Sequence, residues 1–283
     1  PIHPYIYGQF IEHLGRCIYG GIWAEMLEDR KFHDPVGQGS SPWSALGGAK
    51  VAMTTTKPFV GAHSPTVTAS AKGDGLVQRS LASQRGRRYV GHLWLEGDAT
   101  TAPITVRFGD AAPVTIATIG GAWARHELAF ETTSDNGDAA LSITAGGAGT
   151  FRVGTASLMP ADNVQGFRAD TLALLRELKS PVYRWPGGNF VSGYDWRDGV
   201  GDRDRRPPRK NPAWTGIEHN DVGIHEFMAL CDLLDTEPYI AVNTGLGGVD
   251  NAVAELEYVN GAASTAMGAL RASHGRAAPW KVQ

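Results

Sequence analysis

The stretch Arg184-Trp185-Pro186-Gly187-Gly188-Asn189-Phe190 puts a guanidinium and a carboxamide on either side of a tight turn, directly after the apolar run Pro181-Val182-Tyr183. A Pro-Gly-Gly break after a short apolar run reads as the end of a buried strand. Polar groups fixed at strand ends are where α/β enzymes tend to keep their chemistry. Two other apolar runs end in the same manner, residues 6–10 leading to Glu12 and residues 238–242 leading to Asn243. A carboxylate, a guanidinium and two amides on one rim would suit a polyhydroxylated ligand. Plainer readings stand beside this one. Glu12 could pair with Arg16, four residues on, Arg184 could be a structural ion-pair partner, and Pro186-Gly187-Gly188 could be turn chemistry alone.

The elements that would position these groups fall into three segments. Residues 1–37 read as a strand around residues 6–13 and then a short amphipathic helix over 22–32, with apolar residues at 22, 23, 26, 27 and 32. From 38 to 160 charged residues thin out, and strand-like runs such as Tyr89-Val90-Gly91-His92-Leu93-Trp94-Leu95 alternate between turn signals, which predicts an inserted, jelly-roll-like β-sandwich. From 161 to 283 helical stripes over 167–179, 222–234 and 251–259 alternate with short apolar strands. That alternation predicts successive βα units of a parallel sheet. The expected fold class is therefore α/β with an inserted all-β sandwich.

Composition narrows the functions. A net charge of −3 gives no reason to expect nucleic acid or an anionic membrane as partner. No run of 18 apolar residues and no signal peptide is present in the sequence. The chain opens on Pro1 without an initiator Met, so a processed or trimmed start is expected and the compartment stays open. The 8 Trp residues suit sugar stacking, although core packing is the better reading for Trp185 and Trp214, and for Tyr89, Trp94 and Trp123 in the middle segment. Cys17 and Cys231 read as buried free thiols. His13, His33, His219 and His225 are scattered, without metal-ligand spacing, and no cofactor is expected. Gly245-Leu246-Gly247-Gly248 lacks the phosphate-loop patterns. The mixed-sign run over 197–210 reads as a solvated loop.

Four motifs carry a family resemblance. Ile6-Tyr7-Gly8-Gln9-Phe10-Ile11-Glu12-His13-Leu14-Gly15-Arg16, with Ile18-Tyr19-Gly20-Gly21 after it, resembles the opening of family 51 glycoside hydrolases, mostly α-L-arabinofuranosidases. Tyr183-Arg184-Trp185-Pro186-Gly187-Gly188-Asn189-Phe190, Trp214-Thr215-Gly216-Ile217-Glu218-His219-Asn220 and Glu237-Pro238-Tyr239-Ile240-Ala241-Val242-Asn243 are similar to its next three motifs, in the same order. The resemblance implies a (β/α)8 barrel, here partial, with residues 1–37 as its first βα unit and 161–283 as its second and third. Some members carry a carbohydrate-binding-like sandwich where residues 38–160 stand. It also implies a retaining mechanism with two glutamates. The acid/base lies in a Gly-Asn-Glu context at the end of the fourth strand and the nucleophile ends the seventh. Neither matches a residue of this chain, so no catalytic residue is assigned. Glu12, Arg184 and Asn189 match residues that hydrogen-bond the furanose hydroxyls, with Asn243 a weaker match. His219 stands where Thr is commoner, which leaves the leaving-group side undetermined.

The implied ligand is an arabinose-containing oligo- or polysaccharide. The implied partner is the rest of the barrel, as continuing chain or as a second polypeptide. With about three of eight strands, this chain alone is not expected to fold stably. A homo-oligomer stays open. A β-1,4-glucanase or xylanase on the same scaffold, and a non-catalytic carbohydrate-binding protein, are the competing expectations.

Overall fold

Period-two alternation through the middle of the chain does build strands there. The computed structural model describes residues 2–283. After a first short strand, β1 (Gln9–Phe10), come β2 (Trp43–Leu46), β3 (Lys50–Thr54), β4 (Ser64–Ala69), β5 (Gly75–Ser83) and β6 (Arg88–Gly97). Then follow β7 (Ile104–Phe108), β8 (Val114–Ile116), β9 (Ala124–Glu131), β10 (Asn136–Thr144) and β11 (Gly149–Pro160). Strands β2 to β11 form two five-stranded antiparallel sheets, ordered β2-β5-β10-β7-β8 and β3-β4-β11-β6-β9. Alternate residues of both sheets, among them Leu76, Leu93, Ile104, Phe108, Ile143 and Phe151, are buried in one core. This is an all-β sandwich, and it occupies the compact unit Ala24–Gly166.

The other unit joins Pro1–Trp23 to Phe167–Gln283. It holds α1 (Ala169–Leu178), β12 (Val182–Trp185), α2 (Asn189–Ser192), the paired short strands β13 (Arg209–Lys210) and β14 (Ile217–Glu218), α3 (Ile224–Leu234), β15 (Glu237–Ile240), α4 (Gly248–Asn260) and α5 (Ala266–Ser273). Strand β12 is central and runs parallel to both β1 and β15. Helix α3 makes the crossover from β12 to β15, as a parallel pair requires. Its stripe of Ile224, Phe227, Met228 and Cys231 is buried. Its start is closed by the Glu226 carboxylate, which accepts from the Gly223 amide at 2.9 Å, and its end by Asp235 in the left-handed region.

Two expectations need correction. Residues 22–32 form no helix. Their apolar spacing serves two packings instead: Trp23 rests edge-on against Phe167, while Leu27 and Phe32 enter the sandwich core. Asp29 and Phe32 take positive φ, and the Asp29 carboxylate accepts from the His33 and Asp34 amides, a local fold incompatible with a continuous helix. The charged run over 197–210 is only partly solvated. Arg206 is 4% exposed and forms a two-pronged ion pair with Glu226, while Arg209 pairs with Asp198 at the surface. Cys17 and Cys231 are free thiols, the first half-buried and the second buried.

Among the sandwich aromatics, Tyr89 is buried, with its hydroxyl accepting from the Gln84 amide. Trp94 and Trp123 are half-buried around Phe59. No helix is long and apolar enough to cross a membrane, and no cluster of metal-ligating side chains occurs, among the described residues.

Candidate functional site

Parallel strands β1 and β12 lie side by side, with Phe10 opposite Arg184, so the segments that follow them emerge together. Ile11 donates its amide to the Arg184 carbonyl at 2.7 Å, and His13 donates to the Pro186 carbonyl at 3.3 Å. These bonds carry the pairing three residues past the end of β1 and hold Glu12 against the Pro186-Gly187-Gly188 turn.

The turn is shaped to receive it. Gly187 has φ +133°, and a Cβ there would run into the Glu12 side chain. Glu12 is buried, and one of its oxygens accepts from the Trp214 indole at 3.1 Å and from the Phe190 amide at 3.4 Å. Arg184 comes up beside Gly188: a Cβ built on that glycine would lie 3.8 Å from a terminal guanidinium nitrogen. Its guanidinium carbon stands 5.5 Å from the Phe10 ring centroid, and its Nε is buried without a hydrogen-bond partner. Asn189 is the first residue of α2 and is exposed. Glu12, Arg184 and Asn189 thus surround one turn.

Asn243 is arranged differently. It is buried, donates to the Tyr194 carbonyl at 3.1 Å and accepts from the Gly247 amide at 3.0 Å. Both ends of its amide therefore hold the backbone around the loop that leads into α4.

Directly below Glu12 lies a cluster that strand-end reasoning does not reach. Glu218 accepts from His13 Nδ1 at 2.5 Å, from the Asn220 amide at 2.7 Å and from the Tyr19 hydroxyl. Burial pushes its carboxyl up, yet His13, Tyr19 and the Asn220 amide hold it below the usual carboxylate range. Trp185, fully buried, donates its indole N–H to His13 Nε2 at 2.9 Å. Trp185 is therefore core, as expected. Trp214 is half-buried and takes part in the site through its bond to Glu12. Phe10, 60% exposed beneath Arg184, is a further neighbour whose role strand patterning alone did not indicate.

Chemically the arrangement offers acceptors at Glu12, donors at Arg184, and both at Asn189, edged by aromatic rings. A model of the α-L-arabinofuranosidase 1 domain matches residues 174–283, which include Arg184, Asn189 and Glu218. These residues are similar to the α-L-arabinofuranosidase family. α-L-Arabinofuranosidase C of Emericella nidulans is 48% identical over 124 residues, covering 44% of this chain and 25% of the relative. The intracellular exo-α-L-arabinofuranosidase of Bacteroides ovatus is 40% identical over 136 residues, covering 48% of this chain and 26% of that protein. The chain thus spans about a quarter of the length of the curated relatives it matches. In fold it is similar to an arabinose-bound family 51 α-L-arabinofuranosidase, with a TM-score of 0.83 and 22% identity, over 96% of this chain and 51% of that one. The resemblance read from the four motifs is borne out as a similarity: the chain matches part of α-L-arabinofuranosidases.

Proposed function

We propose that this chain supplies the sugar-binding part of the site of a retaining α-L-arabinofuranosidase that removes non-reducing-end arabinofuranosyl residues from arabinan or arabinoxylan. The observation that carries this reading is the meeting of Glu12, Arg184 and Asn189 around the Gly187-Gly188 turn. A carboxylate and a guanidinium, each with unfilled hydrogen-bonding capacity, can grip neighbouring hydroxyls of one ring. A sugar with a misplaced hydroxyl leaves a buried charged group unpaired, which is where discrimination arises. Asn243 acts at one remove in this picture, holding the loop beyond β15.

In the proposed architecture β1, β12 and β15 are strands of a (β/α)8 barrel, with residues 38–160 inserted as a sandwich. The acid/base and nucleophilic carboxylates come from residues outside this chain, on continuing chain or on a second polypeptide. No Asn-Glu pair of the family's acid/base type occurs among the 283 residues. In a retaining site those two carboxylates stand about 5–5.5 Å apart, one protonating the leaving oxygen while the other attacks the anomeric carbon. The residues of this chain hold the ring and strengthen their bonds to its hydroxyls as oxocarbenium character develops.

The test is hydrolysis of 4-nitrophenyl α-L-arabinofuranoside by the full-length protein, with the anomer released followed by proton NMR. Release of the α-anomer first is expected, with cellulose and unsubstituted xylan left intact. Activity on those glucans or xylans without arabinofuranoside cleavage would replace this reading by the glucanase or xylanase one. No turnover of any of these would leave a sugar-binding protein.

A further inference from the structure

Around Glu218, both carboxylate oxygens are filled by donors of the protein. The carboxylate side chain is 2% exposed and receives three donors, so no ligand can reach it. The Tyr19 hydroxyl that donates to it accepts in turn from the Asp221 amide at 3.1 Å. The connection upward runs through His13. An indole N–H can only donate, so the Trp185 bond requires a lone pair on His13 Nε2. The imidazole proton therefore resides on Nδ1 and faces Glu218. One tautomer and one ring orientation result, and the ring is stacked on Phe190 with centroids 4.4 Å apart.

The backbone of His13 is clamped as well. Its amide donates to Pro186, and its carbonyl accepts from Asn211 Nδ2 at 2.8 Å. The other end of the Asn211 amide accepts from the Ala213 and Trp214 amides, and the Trp214 indole reaches Glu12. The turn beside Glu12 and the tryptophan bonded to Glu12 are thus both tied to the backbone of His13, whose ring is held by Glu218 and Trp185.

We propose that Glu218 is a positioning residue for sugar recognition, acting through His13 to fix where Glu12, the Gly187-Gly188 turn and Trp214 stand. This rests on the functional reading above. Substitution Glu218→Gln keeps the volume but replaces one acceptor by a donor. Facing His13, the new N–H meets the Nδ1 proton, and the ring cannot change tautomer without turning a second N–H toward Trp185. Facing the other way, it meets the Asn220 amide. Either orientation sets donor against donor.

The experiment measures L-arabinose binding by calorimetry on the full-length protein and its Glu218→Gln variant, with circular dichroism to verify folding. Imidazole 15N shifts report the His13 tautomer. The expected result is a folded variant that binds arabinose about tenfold or more weakly, with the His13 imidazole 15N shifts displaced from their wild-type values. Should Glu218→Gln fail to fold, Tyr19→Phe removes one donor and leaves the His13 bond. An affinity lowered about two- to fivefold is then expected. Wild-type affinity in a folded Glu218→Gln, or in Tyr19→Phe where that variant serves as the test, overturns the inference while leaving the functional reading in place. Absence of arabinose binding by the wild-type protein overturns both.

Discussion

Two layers of the α/β unit hold comparable charged groups and treat them in opposite ways. Arg206 and Glu226 close off each other's charge. Arg206 donates to both Glu226 oxygens and to the carbonyls of Gly201, Asn220 and Asp221, while Glu226 also receives Arg203 and the Gly223 amide. Around Glu12 and Arg184 the groups are left wanting: Glu12 takes bonds on one oxygen, and Arg184 Nε has no partner though buried. Buried polar groups are normally satisfied, so a set that is not points toward what is meant to bind there. On the proposed function, the filled Arg206–Glu226 pair is scaffold and the unfilled Glu12 and Arg184 face the sugar.

The sharpest way to break this contrast is to substitute on both sides and compare what is lost. Glu226→Ala leaves Arg206 buried without its counter-charge and removes the cap of α3, so a stability loss of about 3–5 kcal/mol is expected, read as a fall in the chemical denaturation midpoint. Glu12→Gln should do the reverse. Its loss appears in kcat/KM for 4-nitrophenyl α-L-arabinofuranoside, by about 100-fold or more, with a midpoint unchanged or slightly raised. If Glu12→Gln instead unfolds the protein, Glu12 belongs to the scaffold and the contrast fails.

The two sides were not equally legible in the sequence. Arg184 and Asn189 could be found because Pro and Gly punctuate the chain between them, and turn chemistry is local. The strands, the sandwich and helices α1, α3 and α4 were legible for the same reason, since alternation and helical spacing are short-range patterns. The Glu218 cluster was hidden because its partner His13 lies 205 residues away, and no local pattern announces a bond across that separation. Arg206 was misjudged within a run of mixed charge whose composition is that of a surface loop. Its burial depends on Glu226 arriving from α3. Residues 22–32 mimicked a helix because two unrelated packings happened to share its spacing.

Asn243 sharpens the comparison at smaller scale. It stands at a strand end like Arg184, yet both halves of its amide already bond backbone. Asn243→Ala should therefore behave as scaffold, costing about 1–3 kcal/mol of stability for the carbonyl and amide left unanswered. Arabinose affinity should change less than it does in Glu12→Gln. The opposite ranking, measured by denaturation and calorimetry on the same preparations, would move Asn243 to the ligand side.

Glu255 tests the rule from the other direction. It is a 3%-exposed carboxyl on α4 whose pKa burial, reinforced by Asp195, pushes up to about 8 from 4.5. A carboxyl with a raised folded-state pKa holds its proton more tightly folded than unfolded. The folded state is therefore favoured below pH 4.5, and stability drains away as pH rises from 4.5 through 8. Glu255→Gln removes that dependence. At pH 8 the variant should be more stable than wild type by on the order of 1 kcal/mol, the buried site relaxing as water enters, while at pH 4 the two should be alike. Equal stability at both values would mean that Glu255 is ionised at little cost. Its charge would then be answered by the structure, as that of Glu226 is.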